Sequence, residues 1–286
     1  MSDFIRHHSV ATDYKKGETW TILSEIEQSI KKKIEAAGTP LKDWNVKINY
    51  GIKTGLNEAF IISKEKRDEL VKADPKSVEI IRPILRGRDI KRYKIDFKEL
   101  YLINTHNGYQ TADGTNIPPI KIDNYPAIKK WLETGDWNTK PSQGSNLERL
   151  RNRTDQGITP YNLRSLAYMD NFLQPKIVWS DIATSPKFSL IENEIFINNT
   201  AYMITGTNPN IVHILNSKIT KWLFPKISSD LGMGARYFKQ FVVMLPLPDV
   251  HHSQYFYDDL TKQNVDKKLA KYYNLTELEA KFIGLF

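Results

Sequence analysis

The chain has 286 residues, of which 40% are hydrophobic and 11% aromatic, enough to build a packed core and too many for a disordered polymer. Forty-one Lys and Arg against 33 Asp and Glu give a formal net charge of +8, which favours polyanionic partners. The absence of cysteine excludes disulfide scaffolds and thiolate metal sites, and no apolar run approaches the ~20 residues of a membrane helix, so a cytoplasmic protein with no membrane partner is expected.

Residues 1–16 are polar and include His7, His8, Lys15 and Lys16, as a frayed end or the cut edge of a longer protein would. From Thr19, the residues Trp20, Leu23, Ile26, Ile30 and Ile34 recur at helical spacing, and Gly38 and Pro40 supply a stop. Val46, Ile48, Tyr50 and Ile52 then alternate with polar residues, the period of a half-buried strand, and Ala59 to Ile62 form a second apolar run. A hairpin is expected here. Its loop would present Lys53, Thr54 and Asn57, with Gly55 supplying the turn. Ser63 is placed to cap a helix that ends near Asp74-Pro75.

The most basic segment follows: Arg82, Arg86, Arg88, Lys91, Arg92, Lys94 and Lys98, interleaved with Tyr93 and Phe97. A charge run is ordinarily a solvated surface. Here Ile81, Ile84, Leu85 and Ile90 tie it to a core, so the guanidinium forks of Arg86, Arg88 and Arg92, with Lys91, would project from ordered backbone, as phosphate or guanine recognition requires. Leu100 to Ile103 reads as a strand and residues 104–124 as a long loop; Pro126 and Gly135 bracket a short helix, and residues 136–145 form another loop. Glu148 to Arg164 is a second basic stretch, carrying Arg149, Arg151, Arg153, Tyr161 and Arg164 on either a hydrated helix face or a nucleic-acid contact.

Residues 176–179, 187–191 and 200–204 read as strands, and Asn208-Pro209 opens a helix. Residues 232–237 suggest a turn in which Arg236 and Tyr237 either contact a polyanion or, for Tyr237, fill a core, and Phe241 to Leu245 suggests a last strand. Two terminal helices follow, over 255–273 and 276–286, the second opened by a capping box at Thr276 and Glu279.

The wording Gly51-Ile52-Lys53-Thr54-Gly55-Leu56-Asn57-Glu58-Ala59-Phe60 resembles the opening signature of the TaqI-like C-terminal specificity domain. Further matches occur in order at Ile81-Arg82-Pro83, Leu85-Arg86-Gly87-Arg88-Asp89-Ile90, Tyr125-Pro126, Pro175-Lys176-Ile177-Val178-Trp179, Asn199-Thr200-Ala201-Tyr202, Leu215-Asn216-Ser217-Lys218 and Pro246-Leu247-Pro248. Gly157-Ile158-Thr159-Pro160-Tyr161-Asn162-Leu163-Arg164 departs from the family wording, which has an aromatic pair before Leu-Arg. The resemblance implies the target recognition domain of a type IIG restriction-modification enzyme or adenine-N6 DNA methyltransferase, reading double-stranded DNA for a catalytic module in cis or in trans.

The chain's own residues offer no convincing catalytic set. Asn116-Ile117-Pro118-Pro119-Ile120 has an intervening Ile and no aromatic, so it is not the motif that holds a flipped adenine, and Gly232-x-Gly234 lacks the third glycine of a nucleotide loop. No carboxylate-and-lysine pattern marks a nuclease, and His251-His252 lies in a polar stretch. The expectation is a mixed α+β, largely antiparallel recognition domain over 46–250, preceded by a packing helix within 1–45 and followed by helices over 251–286. S-adenosylmethionine and Mg²⁺ would then serve partner modules only. The alternatives are a protein-interaction module without DNA specificity and an unrecognised nuclease.

Overall fold

A computed structural model of the chain describes residues 23–228, 236–250 and 254–285. The expectations for residues 1–16 and Trp20, for Gly232 to Ala235 and for His251-His252 lie outside the described residues.

Helix α1 (Glu25–Ala37) starts at Ser24, whose backbone amide and hydroxyl both donate to the Glu27 carboxylate, and it buries Ile30 and Ile34. Strands β1 (Thr39–Pro40) and β2 (Lys47–Tyr50) follow, then the single helical turn α2 (Asn57–Phe60), β3 (Ile61–Ser63) and α3 (Lys64–Ala73), capped by Ser63. Next come β4 (Ile81–Leu85), β5 (Ile90–Lys91), β6 (Lys94–Ile95), β7 (Leu100–Ile103), β8 (Asn107–Gln110), β9 (Asn116–Pro119), α4 (Pro126–Thr134) and α5 (Asn146–Asn152). The chain continues through β10 (Lys176–Ser180), β11 (Phe188–Ile191), β12 (Phe196–Ile197) and β13 (Ala201–Thr205). It ends with α6 (Ile211–Leu215), α7 (Lys218–Ile227), α8 (Lys239–Val242), β14 (Pro246–Leu247), α9 (Gln254–Tyr257), α10 (Val265–Tyr272) and α11 (Glu277–Phe282).

The result is a mixed α+β fold in which antiparallel pairing dominates, with β12 joining β4 in parallel. The chain divides into two units: the described parts of Met1–Lys47, Asp181–Phe188 and Gly206–Phe286, and a second unit of Ile48–Ser180 and Ser189–Thr205. The second unit carries two four-stranded sheets, ordered β11-β10-β13-β2 and β12-β4-β7-β3. Its core gathers Phe60, Leu102, Ile128, Leu132, Leu150, Phe172 and Phe196, and the last two rings stack 4.8 Å apart. Lys176 is buried there; its ammonium donates to the carbonyls of Phe172, Gln174 and Asn193, and burial lowers its pKa to about 8.

Several expected elements are corrected. The segment 46–62 is not a hairpin: α2 intervenes, so β2 and β3 enter different sheets. The expected loop 104–124 contains the β8–β9 hairpin, closed by an Asp113-Gly114 turn in which Thr111 and Thr115 bond Asp113; its prolines lie in a two-stranded sheet with no third strand to supply. Only residues 146–152 of the second basic stretch are helical. The helix expected after Pro209 breaks at Asn216-Ser217, where Ser217 caps α7, and residues 241–245 complete a helical turn before the short β14 instead of forming a strand. The expected helix 255–273 is two helices, α9 and α10.

In the first unit the terminal helices pack on α1. Glu279 accepts hydrogen bonds from the Ser29 hydroxyl and the Lys33 ammonium, both at 2.7 Å, while closing the capping box with the Thr276 amide at 2.7 Å. Burial pushes the Glu279 carboxyl up, but the Lys33, Thr276 and Ser29 bonds outweigh it and bring its pKa from 4.5 to about 2. A carboxyl depressed in the folded state stabilises above its unfolded pKa and loses that contribution as pH falls towards the folded one. Glu279→Gln is therefore less stable than wild type at pH 7, and the gap closes between pH 4.5 and pH 2, read from urea unfolding across that range.

Candidate nucleic-acid interface

The chain leaving β2 is stitched to the turn that precedes β13. The Gly51 amide donates to Ala201 O at 2.9 Å, the Ile52 amide to Ile197 O at 2.8 Å, and the Asn199 amide returns to Ile52 O at 3.0 Å. Residues 53–57 then project as a tight loop, with Gly55 at φ +68°, where a side chain would be strained. Thr54, 1% exposed, donates to Asn57 Oδ1 at 2.7 Å and accepts the Leu56 amide at 3.2 Å. Lys53 is half-buried, its ammonium 5.3 Å from the Tyr50 ring centre, and Asn57 is exposed.

Beneath this loop lies Arg153. Its guanidinium donates to Thr54 O at 2.6 Å, Asp155 O at 2.8 Å and Pro160 O at 3.1 Å, and also to Asn162 O, while facing the Phe60 ring at 4.5 Å. Burial lowers its pKa to about 10, opposed by Asp155, so it remains a cation at pH 7. Arg149 is similarly held. One arm donates to Glu58 Oε1 at 2.7 Å and the other to Asn138 Oδ1 at 2.6 Å, beside the Trp137 ring. Burial raises the Glu58 pKa, but its own backbone amide and Arg149 more than offset that and hold it below the usual range. Lys53, Thr54, Asn57, Glu58, Arg149 and Asn199 are among the residues lining a cavity of about 380 Å³.

The first basic segment is anchored through the same pre-β13 turn. The Gly87 amide donates to Thr200 Oγ1 at 2.8 Å, and that hydroxyl donates to Asn198 Oδ1 at 2.6 Å. A Cβ on Gly87 would lie 2.3 Å from Thr200 O, so no other residue fits. Arg86 forms a two-pronged pair with Asp89, Nε to Oδ2 at 2.8 Å and Nη2 to Oδ1 at 2.9 Å, and its backbone amide also donates to Oδ2. Arg88 and Arg92 are exposed, and Lys91 curls back to Arg88 O at 2.6 Å.

The sequence candidates thus separate. Lys53, Thr54, Asn57 and Arg149 meet at one cavity, with Arg153 beneath, and Arg164 reaches Asp155 Oδ1 at 3.4 Å. Arg86 and Arg88 join them through residues 198–200, whereas Lys91 and Arg92 sit further along, at the β5–β6 turn. Arg151 is exposed at the end of α5. Tyr161 is half-buried and donates to the Glu133 carboxylate, which together with burial raises its pKa to about 12. Arg236 and Tyr237 belong to the first unit; Tyr237 is 2% exposed and stacks on Phe224 at 3.8 Å, so it packs a core. Asn199 was not singled out as a contact residue, although it is exposed at the cavity. Its signal was the polar run Asn198-Asn199-Thr200 between two apolar strands. Among the described residues no group of three His, Asp or Glu side chains is placed to hold a metal ion.

Because Arg153 donates to four backbone carbonyls, of which, among the described residues, only Asn162 O has a second donor in the Gly157 amide, Arg153→Ala is expected to cost about 3 kcal/mol, seen as a lower Tm, whereas Arg151→Ala leaves Tm unchanged.

Comparison with known proteins places this geometry in context. Solved structures that share the fold include two restriction enzymes. The type IIL restriction-modification enzyme MmeI, solved with DNA, is 13% identical with a TM-score of 0.54, over 85% of this chain and 35% of that one. The type IIG restriction endonuclease BpuSI is 15% identical with a TM-score of 0.53, over 91% of this chain and 33% of that one. The chain therefore spans about a third of the length of either enzyme. No curated protein matches it in sequence. The family model of the TaqI-like C-terminal specificity domain matches residues 82–247, more than half of the sequence, and the chain belongs to that family.

Proposed function

We propose that this chain is the DNA-reading part of a restriction-modification enzyme, recognising a short sequence in duplex DNA. The observation that carries the reading is the cavity beside the 53–57 loop, where Lys53, Arg149, Asn57 and Asn199 converge on a backbone held rigid by Arg153. Exposed Arg88, Arg92, Arg151 and Arg164, with Lys53, supply phosphate contacts in this reading. The carboxamides of Asn57 and Asn199 have the chemistry to read a base edge. An adenine methyltransferase, with a nuclease where one is present, performs the chemistry in a separate module that holds S-adenosylmethionine and Mg²⁺, and the protein works in the cytoplasm. An interaction module centred on Trp131 is disfavoured, because that indole is buried and donates to Ala59 O at 2.9 Å; Trp222 is half-buried beneath the Lys226 ammonium, and Leu278 and Phe282 of the last helix are the exposed apolar side chains that would serve such a module.

Duplex binding should weaken steeply with salt, log affinity falling by about 0.9 per phosphate contact for each unit of log salt. Arg88→Ala and Arg151→Ala each weaken binding to all sequences and lower that slope by about 1. Asn199→Ala costs ~1–3 kcal/mol on the cognate duplex alone. The cognate duplex comes from selection out of a random library, and fluorescence anisotropy reads each arm. A flat salt titration with no selected sequence overturns the reading.

A further inference from the structure

A second cavity in the same unit shares no lining residue with the first. It also measures about 380 Å³, within the ~300–1,000 Å³ of small-molecule sites, and its lining includes Arg82, Asn104, His106, Tyr109, Glu194 and Phe196. Asn104 is 7% exposed, and its Oδ1 has no hydrogen-bond partner among the described residues. The Asn104 backbone amide is satisfied, donating to Ile80 O at 2.7 Å, so the atom left wanting is Oδ1, which is sealed behind the cavity wall. Rotation about its χ2 exchanges an acceptor and a donor at the cavity wall. His106 Nδ1 accepts the Gly108 amide at 3.3 Å, which leaves the ring proton on Nε2. Burial and then Arg82 push the His106 pKa below its ordinary value, so the imidazole is neutral at pH 7.

The lining's charges also narrow the ligand. Arg82 donates to Val78 O and Ile81 O, and Glu79 accepts the Tyr125 hydroxyl at 3.0 Å; with Glu194, two carboxylates face one guanidinium. That balance repels a free phosphate or carboxylate. A saturated apolar ligand would leave Asn104 unsatisfied. A flat, uncharged ring with an N–H donor beside a ring-nitrogen acceptor matches Asn104 and His106 together. Tyr109, half-exposed and set edge-on to His106 at 5.1 Å, supplies aromatic surface for it.

We propose that this cavity binds an uncharged nucleobase through its amino-bearing edge: Asn104 accepts from the exocyclic amine, and His106 Nε2–H donates to a ring nitrogen. The base comes either from a free nucleoside or from a nucleotide turned out of a strand. The proposal does not rest on the duplex-reading function, because its first test contains no DNA.

Adenosine, cytidine, inosine and uridine are titrated against the full chain by calorimetry. Adenosine or cytidine is expected to bind saturably, and its deaminated counterpart at least tenfold more weakly. Asn104→Leu should lose at least tenfold; if that variant fails to fold, Tyr109→Trp, at a half-exposed position, puts a bulkier ring beside His106, narrows the cavity and should weaken binding at least fivefold. A duplex with one unpaired adenosine separates the sources. Tighter binding than to the paired duplex, competed by adenosine, assigns the strand; adenosine binding with no such gain assigns the free nucleoside. The proposal is overturned if neither nucleoside saturates at millimolar concentration, or if Asn104→Leu and Tyr109→Trp bind as wild type does, whatever the duplex affinity proves to be.

Discussion

One buried cation organises the second unit's surface. Arg153 has no carboxylate against it at close range; four backbone carbonyls hold its charge, and an aromatic ring covers one face. Carbonyls from residues 54, 155, 160 and 162 are all acceptors, and among the described residues only Asn162 O of the four also receives a backbone amide, that of Gly157. A planar fork with several donors reaches them all at once, which a lysine could not. Two loops that would otherwise sample many conformations are thereby fixed to each other without a metal or a disulfide. Since the guanidinium stays protonated far above neutral pH, this fixing persists across the physiological range.

The pre-β13 turn provides the second constraint. Asn198 and Thr200 hold each other through side chains, and the turn's backbone receives both the chain leaving β2 and the Gly87 turn after β4. Close backbone approach at Gly87 leaves no room for adjustment. The chain leaving β2, the Gly87 turn and residues 198–200 are thereby tied to one another by hydrogen bonds, and a fixed presentation of polar groups is what a binding site requires.

Much of this was legible in the sequence. The helical stripe of Ile30 and Ile34, the Ser63 and Thr276 caps and the β7 and β10 strands follow from local spacing, and the structure contains them. What failed did so where tertiary partners decide. Residues 59–62 read as strand because all four are apolar, yet Ala59 and Phe60 are buried in a helical turn and only Ile61 and Ile62 join a strand. Residues 104–124 looked like loop because Asn, Gly and Pro are poor strand formers, but an edge hairpin tolerates them. Within the interface, sequence singled out the basic segments as candidates but gave no means to tell a structural arginine from an exposed one. Arg86 and Arg88 look alike on the page; only the position of Asp89 relative to the turn separates them.

That separation recurs. At 86 and 88, and again at 151 and 153, two arginines stand two residues apart, one clasped by the protein and the other facing solvent. The clasped member carries the shape and the outward one carries a replaceable charge. A lineage can exchange the outward residues while the frame persists, so a recognition surface built this way is free to drift towards new targets without passing through unfolded intermediates.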